Sequence, residues 1–128
     1  MSQSTTLILL PETAYNGGGT ANIYDVTGNT QPAASYYLGN EDLQTVNIKF
    51  SEVTGNLVIE ASLATSPSSS DWFEVYSLTA NYSAPANTTP KLNSDISTYT
   101  NIEGNFVYIR ARVENFAHGI INFVKVSY

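Results

Sequence analysis

Hydrophobic and polar residues alternate along several stretches of the chain, with the period of two that gives a β-strand one buried face. The clearest stretch is LQTVNIKF, residues 43–50, in which Val46, Ile48 and Phe50 share one side and polar residues the other. The stretch at 57–63 alternates in the same way, and the intervening TGN is a turn signal. The two stretches therefore predict a β-hairpin with one face in the core.

A second alternating stretch begins near residue 106. Its small and β-branched residues, Ile109, Ala111 and Val113, are predicted to face the core. The opposite side of the same strand then points outward and combines aromatic with basic residues. This outward row is Phe106, Tyr108, Arg110 and Arg112.

The last strand is predicted over residues 120–128. The preceding AHG, residues 117–119, reads as a tight turn and places His118 in that turn. Alternation puts Ile120, Val124 and Val126 on the inner side of the strand. The outer side then includes Ile121 and Phe123.

The remaining segments also favour strands joined by polar loops. TLILL at 6–10 and WFEVYSL at 72–78 read as strands, and 81–95, which contains two prolines, reads as a long surface loop. No apolar pattern of helical period persists for more than about two turns. The chain is therefore predicted to be all-β, a single domain over residues 1–128. Its architecture would be an antiparallel two-sheet β-sandwich, jelly-roll-like or immunoglobulin-like, with seven or eight strands.

The composition excludes several classes of function. The net charge of -6 argues against binding nucleic acid, which needs clustered Lys and Arg. The absence of cysteine excludes disulfides and thiolate chemistry. The apolar run Leu7 to Leu10 is too short for a signal-peptide core or a membrane span, so we expect a chain made and kept soluble in a cytoplasm.

No motif in the chain indicates catalysis or a cofactor. His118 is the only histidine, and no G-x-S-x-G elbow accompanies it. The carboxylates are dispersed, and the loop strings SSSD (68–71) and GNED (39–42) lack the spacing of a calcium loop. NGGGT lacks the Lys and Ser/Thr of a phosphate-binding loop. We therefore predict neither catalytic residues, nor a cofactor, nor a metal site.

The outward aromatic and basic residues allow three interpretations. Tyr, Phe and Arg are enriched at protein interfaces, so Phe106, Tyr108, Arg110, Arg112, Ile121 and Phe123 are candidate interface residues. Aromatic rings also stack on sugars, and Tyr36, Tyr37 and Trp72, with Tyr108, could instead form a platform for a glycan. The third interpretation is that these aromatics pack under loops or against the second sheet.

The C-terminal part of the chain contains the patterns G-N-F-x-x-I-R-A-x-V at residues 104–113, G-x-I-N at 119–122 and a terminal V-S-Y at 126–128. In these patterns the chain resembles small virion structural proteins of tailed bacteriophages, especially marine phages and cyanophages with contractile tails. DWFEV at 71–75 matches an upstream element. The resemblance begins near residue 43 and does not include the first forty residues.

The resemblance implies a β-sandwich displayed on a capsid or tail, as a symmetric homo-oligomer in contact with other virion proteins. The chain departs from the pattern at Phe123, a position that is usually polar, which adds an aromatic to the outer row and favours an interface there. The leading hypothesis is therefore a non-enzymatic virion structural protein. The alternative is a carbohydrate-binding module for attachment to the host surface.

Overall fold

The computed structural model describes residues 5–16, 23–38, 42–81 and 95–128. Of the predicted loop at 81–95, residues 82–94 lie outside these ranges. The described residues form eight β-strands, one short α-helix, α1 (Ala34–Leu38), and one turn of 3-10 helix (Ser69–Asp71). The strands are β1 (Thr6–Leu10), β2 (Thr13–Ala14), β3 (Tyr24–Thr27), β4 (Gln31–Pro32), β5 (Leu43–Ser62), β6 (Trp72–Asn81), β7 (Asp95–Glu103) and β8 (Tyr108–Ser127).

Two strands of 20 residues, β5 and β8, form the centre of the fold. They pair antiparallel along their whole length, from Thr45 opposite Ser127 to Ser62 opposite Tyr108. Strands β1 to β4 pair one after another with the other edge of β8. Strands β7 and β6 pair with the first and second halves of β5. The result is one hydrogen-bonded antiparallel sheet of eight strands.

This sheet bends across its middle into two packed layers. The first layer contains β1, the second half of β8, the first half of β5, and β7. The second layer contains β3, β4, the first half of β8, the second half of β5, and β6. Apolar side chains from both layers join in one core cluster. The prediction of an all-β, antiparallel two-sheet sandwich is confirmed.

The two predicted hairpin turns are wrong. Residues 54–56 lie inside β5 and residues 117–119 lie inside β8, so His118 is in a strand opposite Thr54. The register slips between Ser51 and Asn56, and backbone φ is 55° at Glu52, 55° at Asn115 and 95° at Gly119. Glycine and asparagine occur in β-bulges as well as in turns, because some forms of both place a residue at positive φ. Here the bulges bend two long strands from one layer into the other.

Most of the predicted inner positions are in the core. Val46, Ile48 and Phe50 are buried in the first layer. In the second layer, the buried positions of the predicted inner rows are Leu57, Ile59 and Ala61 on β5 and Ile109, Ala111 and Val113 on β8. Leu63, predicted on the same row as Leu57, follows the end of β5 and is 63% exposed.

The predicted orientation of the last strand is wrong in one part. Phe123 lies opposite Lys49 while Ile121 lies opposite Phe50, so Asn122 is an extra residue on β8. Because side chains alternate along a strand, one extra residue exchanges inner and outer positions. Ile121, expected to point outward, is only 1% exposed, whereas Ile120, expected inside, is 41% exposed.

The prediction that Phe106 lies on the outward row of this strand is also wrong. Strand β8 begins at Tyr108, so Phe106 precedes it and does not continue its outward row. The ring of Phe106 packs against the hydrophobic core and meets Phe73 edge to face, with 5.7 Å between ring centroids.

Candidate functional site

The outer face of the second layer brings together residues that the sequence pattern assigned to two different functions. Tyr108, Arg110 and Arg112 project from β8, and Trp72 projects from the start of β6. Tyr108 and Trp72 both lie opposite Ser62 of β5, one on each side, so the three side chains share a face. We call Tyr36, Trp72, Tyr108, Arg110 and Arg112 the aromatic–arginine surface.

A nearly buried carboxylate holds the two arginines in place. Glu60 lies opposite Arg110 on the neighbouring strand and is 8% exposed. The Arg110 Nε donates to Glu60 Oε1 at 2.9 Å, and Arg112 Nη2 lies 3.3 Å from Glu60 Oε2. Arg112 Nη1 also pairs with Glu114 Oε2 at 3.1 Å. A charge-assisted network therefore fixes both guanidinium groups against the sheet.

The charge state of Arg112 follows from its surroundings. Burial alone would lower the pKa of Arg112, but its hydrogen bonds with Glu114 and Glu60 outweigh that effect and raise the pKa above its ordinary value. Arg112 therefore remains a cation.

The aromatic residues of this surface form two groups, Trp72 against Arg110 and Tyr108 beside Tyr36. The guanidinium carbon of Arg110 lies 4.1 Å from the ring centroid of Trp72, which is cation–π geometry. On the other side of Ser62, the rings of Tyr108 and Tyr36 lie 5.4 Å apart and are tilted by 46°. A hydrogen bond between the two side chains, together with burial, raises the pKa of Tyr108.

Helix α1 positions Tyr36 at this surface. The start of the helix is anchored by two hydrogen bonds: Ala33 N, just before it, donates to Val107 O, and Ala34 N, its first residue, donates to the buried side-chain oxygen of Gln44. The side chain of Tyr36 is 47% exposed. The side chain of Tyr37 lies outside the described part of the structure.

The other predicted interface residues lie elsewhere. Phe123 is on the outer face of the first layer, on the far side of the sandwich, where the amino group of Lys125 lies 4.3 Å from its ring centroid. Ile121 is in the core and Phe106 is beside Phe73. The six interface candidates expected from the sequence are therefore divided among four places.

The alternation of residues 57–63 places Glu60 on the outward side of its strand, and no motif in the sequence assigns it a function. The signal that would have identified it is a carboxylate opposite an arginine on a paired strand. That signal depends on the register of β5 against β8, which joins residues 50 positions apart. The pattern of either strand by itself does not contain this register.

Two polar positions that were considered for other chemistry have structural partners. The carboxylate of Asp71 accepts hydrogen bonds from the backbone N and the hydroxyl of Ser68, at 2.7 and 3.0 Å. His118 Nδ1 lies 2.7 Å from the carbonyl oxygen of Glu52. Within the described ranges, no group of three or more His, Asp or Glu residues could hold a metal ion, and no helix could span a membrane. The GNED string lies mostly outside those ranges.

Comparison with known proteins identifies a fold rather than a family. No protein-family model and no curated protein matches the chain. Among solved structures, the chain is similar to the K1 cleaved adhesin domain of Lys-gingipain from Porphyromonas gingivalis. The two are 10% identical, the match covers 98% of each chain, and the TM-score is 0.51. The likeness shows the fold.

A second similar structure is that of the infectious bursal disease virus Gx strain, at 11% identity. The match covers 98% of this chain and 32% of the viral chain, with a TM-score of 0.38. A TM-score this low does not show that the two proteins share a fold or a function.

Removing the Glu60 carboxylate is expected to destabilise the protein. Glu60→Ala leaves Arg110 without its charged partner and places two cations close together, so we expect a loss of about 2 kcal/mol in the free energy of unfolding. This expected loss is smaller than the loss found when a fully buried ion pair is broken, because both arginines reach solvent. Urea denaturation measures the free energy of unfolding. The control is Glu74→Ala, an exposed carboxylate opposite Glu60 on β6, for which we expect a change within about 0.5 kcal/mol. Equal stability of the two variants would contradict the role of Glu60.

Proposed function

We propose that the protein is a non-enzymatic structural protein of a tailed-phage particle, which attaches to a neighbouring virion protein through the aromatic–arginine surface. The observation that carries the proposal is the placement of Arg110 between Trp72 and the nearly buried Glu60. Trp, Tyr and Arg are the residues most enriched among those that dominate binding energy at protein interfaces. The resemblance of residues 104–128 to virion proteins supports the particle as the location.

The surface is arranged before any partner arrives. Glu60 and Trp72 restrict Arg110, and Glu60 and Glu114 restrict Arg112, so binding would cost little side-chain entropy at these positions. Ordering a flexible side chain at an interface costs about 1 kcal/mol. A partner would meet a flat face with fixed donors and rings. In this proposal the protein is made in the bacterial cytoplasm and assembles into the virion as a symmetric homo-oligomer.

A carbohydrate-binding module is the second candidate, favoured by one specific observation. Tyr36, Tyr108 and Trp72, which the sequence offers as parts of one platform for a glycan, lie on one face next to guanidinium donors. Rings that stack on a sugar and charged groups that hydrogen-bond its hydroxyls are the components of such a site. In this case the ligand would be a glycan of the host surface.

The location of the protein is the first test of the proposal. Antibody against the protein should label phage particles purified from an infected culture, as seen by negative-stain electron microscopy. Absence of the protein from those particles by mass spectrometry would contradict the proposal. A glycan array with the same protein tests the second candidate, which fails if no glycan binds.

Trp72→Ala is expected to weaken binding of the protein to purified particles at least tenfold, because it removes the ring under Arg110 and a large part of the apolar surface. Surface plasmon resonance on immobilised particles measures the change. Phe123→Ser is the matched control on the opposite face, and we expect it to change binding less than twofold. A larger effect of Phe123→Ser than of Trp72→Ala would place the contact on the first layer instead.

A further inference from the structure

Strand β7 forms an edge of the first layer. It pairs with β5 along nine residues without interruption, from Glu103 opposite Leu43 to Asp95 opposite Ser51. In the described part of the chain, no strand pairs with the other side of β7. Within the described ranges, the backbone groups on that side of β7 have no partner strand.

The hydrogen-bond pattern identifies these groups. Gly104 N donates to Asp42 O at 2.7 Å, just beyond the end of the β5–β7 ladder. In antiparallel pairs, residues alternate between those that bond across to the partner and those that face away. The backbone N–H and C=O groups therefore point toward β5 at Ile102, Thr100 and Thr98. At Ser97, Tyr99 and Asn101 the backbone N–H and C=O groups point away from β5.

The other edge strands that the structure describes carry features that discourage pairing. A bulge interrupts β1, whose next residue is Pro11. Strand β3 has only four residues, one of them the charged Asp25. Strands β2 and β4 have two residues each, and β4 contains Pro32. Strand β6 has a bulge at Val75, next to Glu74. Bulges, prolines, charges and short length are the usual protection of sheet edges.

Strand β7 has none of this protection in its centre. Residues 96–102, ISTYTNI, contain no charge, no proline and no bulge, and are rich in residues that favour strands. Tyr99 at the middle is 67% exposed. Acidic residues stand only at the two ends, Asp95 and Glu103.

We propose that the free edge of β7 binds an extended segment of another protein, which adds a strand to the first layer. The chemistry of β7 defines this segment: an uncharged, strand-forming centre flanked by Lys or Arg, which would lie opposite Asp95 and Glu103. A second copy of β7 fits poorly, because two-fold pairing centred on Tyr99 would place Asp95 opposite Glu103 at both ends. This edge is on the first layer and does not depend on the aromatic–arginine surface.

The added strand would gain main-chain hydrogen bonds to the three outward-facing residues and contact with side chains on both faces. On the outer face it would lie next to the exposed ring of Tyr99. On the inner face it would lie beside Ile96, which is packed against the core only in part. Main-chain bonds supply affinity in this binding mode, and the flanking charges supply specificity.

The test uses a synthetic peptide as long as β7, with alternating Thr and Val between two terminal lysines. We expect calorimetry to detect binding, and hydrogen exchange to slow at the amides of Ser97, Tyr99 and Asn101. A peptide with Glu in place of both lysines should bind several-fold more weakly at low salt. A peptide whose backbone amides that face β7 are N-methylated should not bind.

The decisive variant is Tyr99→Pro. Proline lacks the outward N–H of residue 99 but leaves the bonds of Thr98 and Thr100 to β5 in place, and edge strands tolerate proline at such a position. Its control, Tyr99→Thr, removes the ring and keeps the N–H. We expect Tyr99→Pro to weaken peptide binding at least tenfold relative to Tyr99→Thr, with both variants folded by circular dichroism.

Two results would overturn the proposal. One is equal binding by Tyr99→Pro and Tyr99→Thr, which would show that the outward N–H of residue 99 does not take part. If the proline variant proves unfolded, hydrogen exchange in the native protein replaces this test. Peptide binding that does not slow exchange at residues 97, 99 and 101 would then also overturn the proposal. The other is a dimer of the native protein, seen by light scattering, that Tyr99→Pro converts to monomer, because the edge would then be occupied by a second copy.

Discussion

Replacing Phe116 by Ala is expected to lower the free energy of unfolding by about 4 kcal/mol, the range for a buried phenylalanine. Phe116 is fully buried, one residue after the bulge at Asn115. Its ring meets Tyr15 and Tyr24 edge to face, with centroids 5.6 and 5.7 Å away, and those two rings stack on each other. The substitution would leave a cavity where the N-terminal strands meet the bend of β8.

Phe123→Ala is the matched control for this prediction. The same change of side chain, seven positions further along the same strand, removes a ring on the outer face and is expected to cost about 1 kcal/mol or less. Urea denaturation of both variants at one temperature gives the comparison. If the two variants lose equal stability, the inner position of Phe116 in β8 is wrong.

Gly119→Ala is expected to cost about 3 kcal/mol, because both backbone conformation and space exclude a side chain there. The residue has a φ of 95°, and a Cβ atom would lie 2.6 Å from the carbonyl carbon of Glu52, in contact with its oxygen. Glu52 belongs to the bulge of β5, so the clash falls where the two long strands bend together. Strands β5 and β8 cannot move apart here to make room for the methyl group without losing the bend.

The neighbouring Ile120→Ala is the control for the bend. Ile120 is 41% exposed, so its truncation is expected to cost less than about 1 kcal/mol. Thermal unfolding followed by circular dichroism measures both variants. A stable Gly119→Ala protein would indicate that residues 117–119 form the tight turn that the sequence pattern predicts, rather than part of a bent strand.

The candidate site was predictable only in part. Tyr108, Arg110 and Arg112 share a face because they are alternate residues of one regular strand, and local alternation is sufficient to show that. The pairing of both arginines with Glu60, and the approach of Trp72 to Arg110, join residues far apart in the sequence. Those contacts depend on strand order and register, which are properties of the folded chain.

The sequence by itself determined the fold class and most of the core. Alternation in residues 43–50, 57–61 and 109–113 specifies strands with one buried face, because a one-residue error would expose a whole apolar row to water. Tertiary structure decided whether residues 54–56 and 117–119 would turn or continue a bent strand, since glycine is accepted in both conformations. That choice made long bent strands of two predicted hairpins. The extra residue Asn122 moved Ile121 into the core, and the register of β5 against β6 and β8 brought Trp72, Arg110 and Glu60 together on one face.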